Sequence, residues 1–162
     1  MKTISISTFK PKHTTQIVEL ILNIQQKEFN VPITIEGQPD LLDIDNFYQK
    51  DNGNFWVALD GEIVVGTIAL IDCGAGIGCI RKMFVKKEYR SQYGIAQILL
   101  NILEKQALTH DFKGVYLGTL ERLTAAIRFY EKNGFEPIAK NDLPPEFPLM
   151  AVDTHFYQKL YK

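Results

Sequence analysis

"FVKKEYRSQYGIAQILL", Phe84 to Leu100, runs from an apolar strand end through a charged loop into a helical apolar pattern. Ile95, Ile98, Leu99, Ile102 and Leu103 recur at helical spacing after Gly94, and the residues from Ile80 to Val85 read as a strand. A strand, a basic loop and a glycine at the opening of a helix together suit an anion. The first backbone N–H groups of a helix have no carbonyl partner, and the helix dipole places positive charge there. Gly94 allows close approach to the backbone, Ala96 keeps the first turn slim, and Arg90 can add charge-assisted hydrogen bonds.

Two other phosphate patterns fail. The Walker string of Gly, four residues and Gly-Lys-Ser/Thr does not occur. "GAGIGC" (74–79) has Cys79 where a dinucleotide fingerprint needs its third glycine, and it lies between two strands.

Working outward, "NFWVALDGEIVVGTIALIDCGAGIGCIRKMFV" (54–85) predicts a three-stranded meander that turns at Asp60-Gly61 and again at 74–78. Gly66 within it marks a bulge or a close backbone approach. Ile4, Ile6 and Phe9 suggest a first strand, and Ile17, Leu20, Ile21 and Ile24 fall on one helical face. A short helix from Leu41 to Tyr48 is expected among Pro32, Gly37, Pro39 and Gly53. "GVYLGTL" (114–120) reads as a buried strand and "TAAIRFYEKNGF" (124–135) as a helix. Strands follow from Phe135 and in "AVDTHFYQKLY" (151–161). The order β-α-α-β-β-β-α-β-α-β-β predicts one α/β domain over 1–162.

Composition narrows the function. The 162 residues, 46% hydrophobic and 23% charged, suffice for a core, and a formal charge of −1 argues against a nucleic-acid or membrane binder. A local basic patch remains at Arg81, Lys82, Lys86, Lys87 and Arg90. No apolar run approaches the roughly 18 residues of a membrane span. The alternating start "MKTISISTFKPKHTT" lacks a signal peptide's apolar block, so a cytoplasmic location is expected. Cys73 and Cys79 are then expected as reduced thiols, and the scattered His13, His110 and His155 predict no metal site.

The Phe84–Leu100 stretch, followed roughly 30 residues later by "AAIRFYEKNGFEPI" (125–138), resembles the GNAT superfamily of N-acetyltransferases. That signature is a strand, then Arg/Gln-x-x-Gly-x-Gly/Ala opening a helix. Two departures stand out. Ser91 occupies the usual Arg/Gln position with Arg90 one residue early, and Leu123 stands where many members carry Asn, with Thr124 the nearest polar substitute.

The resemblance implies a mixed, mostly antiparallel sheet of six to seven strands flanked by about four helices, its fourth and fifth strands splayed around the pantetheine arm of coenzyme A. It implies acetyl-CoA as co-substrate, with no metal. The pyrophosphate would lie on Arg90, Ser91, Gln92, Tyr93, Gly94, Ile95 and Ala96, and the arm along Met83, Phe84 and Val85, with Thr124 nearby. The acceptor would be a primary amine of a small molecule or peptide. Tyr130, in the family's Phe-Tyr-Glu-Lys string, is the implied general acid at the departing sulfur. Glu121, Asp72 or ordered water are candidates for the base, which stays unassigned. Phe29, Phe47, Tyr48 and Phe147 are candidates for the acceptor pocket. A homodimer is open, since relatives often dimerise, and a non-catalytic acyl-CoA-binding or sensing module is the alternative reading.

Overall fold

In the computed structural model, which describes residues 3–161, the apolar runs become a seven-stranded sheet. The strands are β1 (Ile4–Thr8), β2 (Asn54–Asp60), β3 (Ile63–Asp72), β4 (Ile77–Val85), β5 (Gly114–Thr119), β6 (Glu136–Ile138) and β7 (His155–Leu160). Their spatial order is β1-β2-β3-β4-β5-β7-β6, with β4–β5 the parallel pair and the other neighbours antiparallel. The helices are α1 (Thr14–Leu22), α2 (Ile44–Phe47), α3 (Ile95–Thr109) and α4 (Thr124–Lys132).

Both faces of the sheet are covered, which is why its central strands are apolar without alternation. Along β2, Phe55 and Val57 join Ile17, Ile21 and Tyr48 beneath α1 and α2. Trp56 and Ala58 face the other way, into the core with Leu99, Leu103 and Tyr130 from α3 and α4. Gly66 serves both roles expected of it. The β2–β3 register slips beside it, and an added Cβ would come within 3.0 Å of Ile95 on α3.

The feature that creates the site is a mismatch in the middle of the sheet. β4 and β5 pair only at Ile77–Gly114, Gly78–Val115 and Cys79–Tyr116, after which they separate. The cause lies on β4's other side. Thr67 pairs with Phe84 and Ala69 with Arg81, so Lys82 and Met83 together oppose Ile68. This bulge bends the strand away from β5. Lys82 takes a left-handed φ of 54°, uncommon for a side chain that size. The fully buried Thr67 pins the bulge by donating its hydroxyl to the Lys82 carbonyl at 2.6 Å. Thr67→Val, near-isosteric but without the donor, is expected to cost about 1–2 kcal/mol. Urea denaturation would register it as a lower midpoint with an unchanged slope.

Elsewhere the structure adjusts the expectations. The single helix foreseen from Leu41 to Tyr48 is two short turns, Pro39–Leu42 and α2, broken at Asp43, whose φ of −147° and ψ of 45° are not helical. The first hairpin turns on Gly61-Glu62, because Asp60 still pairs with Ile63. α1 continues into a wider π-helical turn over Asn23–Glu28, which brings Gln25 and Glu28 toward the sheet's centre. Cys73 and Cys79 are both free thiols.

Candidate active site

The separation of β4 from β5 opens a cleft of about 610 Å³. One wall is β4 from Cys79 to Val85, and the other is the end of β5 with the start of α4. Its far rim comes from two loops, Phe29 to Gln38 after the π-turn and Phe147 to Asp153 before β7. Met83, Phe84 and Val85 border the gap, and beyond Cys79 the facing edge of β4 has no strand partner among the described residues.

At one end the cleft meets the opening of α3, where Gly94 has φ 63° and ψ 29°. A Cβ at this position would meet nothing within 4 Å. The glycine is therefore required by its left-handed backbone, and the space above it is free. A recess of about 270 Å³ adjoins it, bordered by Val85, Arg90, Ser91, Gly94 to Gln97, Phe129 and Lys132. Ile95 contributes there from a buried position in the core. Two of the foreseen loop residues do not reach this recess. Gln92 is exposed, and Tyr93 tilts against Tyr89 at a centroid distance of 5.9 Å.

Arg90 borders the recess but is already engaged. Its Nε donates to the Val85 carbonyl at 2.8 Å, and both terminal nitrogens grip the Glu28 carboxylate, Nη2 to Oε1 at 2.8 Å. This bidentate contact holds the Glu28 carboxyl below the usual glutamate range. The pair ties the loop to the π-turn, and Lys132 supplies a cation at the helix opening. A depressed native pKa stabilises the fold above the ordinary value near 4.3, and the effect fades as pH falls through the native value. Glu28→Gln should therefore melt lower than the parent near neutrality and converge with it at acid pH. Melting curves from about pH 3 to about pH 7 test this.

Tyr130 packs edge-on against Phe129 and Phe135 at 5.6 and 5.4 Å and borders the cleft. Burial pushes its phenol above the ordinary tyrosine range, so it keeps its proton at any physiological pH. Thr124 opens α4 directly after Leu123, and both border the cleft.

On the opposite face lies a polar cluster. Tyr48 donates to Asp40 at 2.5 Å, while Lys82 donates to Gln38 and stands 3.5 Å from Asp40. Gln38 in turn donates to Gln25 at 2.8 Å. Arg81 donates to the Pro148 carbonyl at 2.9 Å, tethering the late loop. Phe29 and Phe147 border the cleft, whereas Phe47 is exposed and Tyr48 lies fully in the core. Of the carboxylates weighed as bases, Glu121 is exposed on a turn. Asp72 accepts the amides of Asn52 and Gly74 at the distant end of β3. Neither borders the cleft, whereas Asp153 does. Its trace in the sequence is Gly118 inside a buried strand, a sign of something approaching the backbone closely.

Residues 51–137, just over half of the chain, match the family model of the acetyltransferase (GNAT) domain. The chain belongs to the GNAT acetyltransferase family. A GNAT-family acetyltransferase from Staphylococcus aureus Mu50 superposes with a TM-score of 0.95, is 37% identical, and covers 99% of this chain and 100% of its own. The fold is also that of the paia N-acetyltransferase of Thermoplasma acidophilum, solved in complex with coenzyme A. There the TM-score is 0.75 and the identity 16%, over 98% and 99% of the two chains. Among curated sequences, N-acetylaspartate synthetase from Rattus norvegicus is 32% identical over 126 residues, 75% of this chain and 42% of the relative. The human counterpart is 32% identical over the same length, which is 75% of this chain and 41% of its own. This GNAT chain thus spans about two fifths of those two curated relatives.

Proposed function

We propose that this protein is an N-acetyltransferase that carries the acetyl group of acetyl-CoA to a primary amine of a small molecule or peptide, by direct attack of the amine on the thioester. The observation that carries this reading is the convergence on one cleft of three parts. These are the unpaired edge of β4, the left-handed turn that opens α3, and the Tyr130 phenol.

These residues suit acetyl-CoA. The open space over Gly94, the unpartnered first turn of α3 and the Lys132 side chain fit a pyrophosphate, and the gap between β4 and β5 fits an extended amide-bearing arm. When bound, acetyl-CoA supplies an acyl group already activated as a thioester. Backbone groups of Met83 and Val85 then orient the arm, and an N–H on the bulged edge can stabilise negative charge on the carbonyl oxygen. Tyr130 donates a hydrogen bond to the departing sulfur. Its raised pKa makes full proton transfer to a thiolate uphill, so it stabilises charge without giving up its proton.

A relative named N-acetylaspartate synthetase supports a small amine acceptor, because that name describes an N-acetylated amino acid. Titration calorimetry with acetyl-CoA and a thiol-release assay over amino acids, polyamines and peptides test the proposal. Binding together with release on at least one amine is the expected result. Binding without release on any amine would instead favour a sensing module, and absence of binding would overturn both readings.

A further inference from the structure

Arg81 and Asp153 form a pair of opposite charges that the fold brings together without joining. Both border the cleft. Arg81 follows Cys79 by two residues on β4, and Gly118 follows Tyr116 by two on β5. Strand alternation therefore puts both on the sheet face where Ile77, Cys79, Tyr116 and Phe147 cluster. Asp153 lies directly against Gly118, where an added Cβ would stand 2.8 Å from the carboxyl carbon. The absence of a side chain on β5 is what admits the carboxylate.

Neither charge is neutralised by contact. No ion pair joins Arg81 to a carboxylate among the described residues; it donates to the Pro148 carbonyl, with the Cys79 thiol beside it. The Asp153 carboxylate accepts no hydrogen bond from the described residues, although Arg81 and Lys82 act on it from a distance. Lys82, by contrast, is occupied by Asp40 and Gln38. A half-buried guanidinium and a half-buried carboxylate left apart both carry uncompensated desolvation. A ligand with one group of each sign would relieve both at once.

We propose, building on the acetyltransferase reading, that this pair is the acceptor subsite and that it selects a free α-amino acid, whose carboxylate binds Arg81 and whose ammonium binds Asp153. Arg81 suits the carboxylate because its planar fork matches two oxygens and remains charged at all working pH. Asp153 holds the ammonium and takes one proton from it, and the nitrogen keeps the electron pair. That pair forms the new N–C bond as the C–S bond breaks toward the sulfur, and the second nitrogen proton passes to the departing thiolate, leaving the amide and the free thiol. Burial raises the Asp153 carboxyl above the usual aspartate range, which brings it closer to the basicity the transfer requires. Arg81, Asp153 and Tyr130 all border this one cleft, so the subsite and the phenol open on the same space.

The test compares kcat/KM for common amino acids with that for the amines made by removing their carboxyl groups. The parent is expected to favour the amino acids by at least about tenfold, the scale of one charge-assisted bidentate contact. Arg81→Gln should collapse that ratio toward one by losing the amino acid, with Arg81→Lys in between. Asp153→Asn and Gly118→Ala, which displaces the carboxylate, should lower both substrate classes alike. Acetyl-CoA affinity, measured on each variant, should not move, which separates loss of the subsite from loss of the fold. A parent that acetylates the decarboxylated amines equally well, or an Arg81→Gln variant with an unchanged ratio, overturns the subsite and leaves the acetyltransferase standing. Acetyl-CoA binding with no amine acetylated overturns both.

Discussion

Replacing Tyr130 with phenylalanine is expected to lower kcat by roughly 10- to 100-fold, because a hydrogen bond to a charged partner is worth about 1.5–3 kcal/mol. The affinity for acetyl-CoA should stay within about twofold, since a thioester sulfur is a weak acceptor and the strong interaction exists only as thiolate charge develops. Phenylalanine keeps the ring, so the edge-on contacts with Phe129 and Phe135 persist and the core beneath α4 is retained. A stability loss is therefore no explanation for a slower enzyme, and a melting curve run alongside verifies this. The direction of the phenol's shift adds a second test. A group held above the ordinary tyrosine value near 10 contributes no falling limb to the kcat profile below that pH. A limb at lower pH that disappears in the variant would mean that Tyr130 ionises during turnover, contrary to a role as a neutral donor. An unchanged kcat would assign the side chain to packing alone.

What the sequence disclosed, and what it hid, follows from the range of the interactions. The meander over 54–85 was legible because a sheet buried on both faces leaves unbroken apolar runs, and Gly66 marked a bulge or a close approach, which the structure identifies as the packing of α3. The loop before α3 was legible as a turn into a helix, but the partner of Arg90 was not. Glu28 lies 62 residues earlier, and nothing local to either residue records the contact. Once engaged, Arg90 is a tie between elements, and the cation at the helix opening comes from Lys132 on α4. The same reason hides the pair at Arg81 and Asp153. Arg81 read as part of a basic patch, and Asp153 read as part of a last strand over 151–161, whereas β7 begins only at His155 and leaves Asp153 in the loop before it. Residues 23–48 were obscure because they adopt π-helical and tight helical turns too short to impose a pattern. The two loops that rim the cleft, Phe29 to Gln38 and Phe147 to Asp153, carry no such pattern either, so the β4 edge and the opening of α3 were legible and the far rim was not.

Gly94→Val is expected to weaken acetyl-CoA binding by at least about tenfold, and the structure changes the reason. A glycine at a phosphate turn suggests that a side chain would block the ligand, yet a Cβ here meets nothing within 4 Å. The constraint is the backbone, at φ 63° and ψ 29°, where a β-branched residue is disfavoured by more than the ordinary 1–2 kcal/mol of a left-handed residue. α3 has no side-chain cap at its start, so the direction of its first N–H groups depends on this one turn. Valine either keeps the turn and lowers stability, or relaxes it and swings those donors off the phosphates. Asparagine separates bulk from backbone, since it is larger than alanine yet tolerates the left-handed region. Gly94→Asn should bind acetyl-CoA within about threefold of the parent, while Gly94→Val loses about tenfold or more. Equal losses in both would restore the steric explanation. Full affinity in the valine variant would mean that the pyrophosphate does not rest on this turn at all.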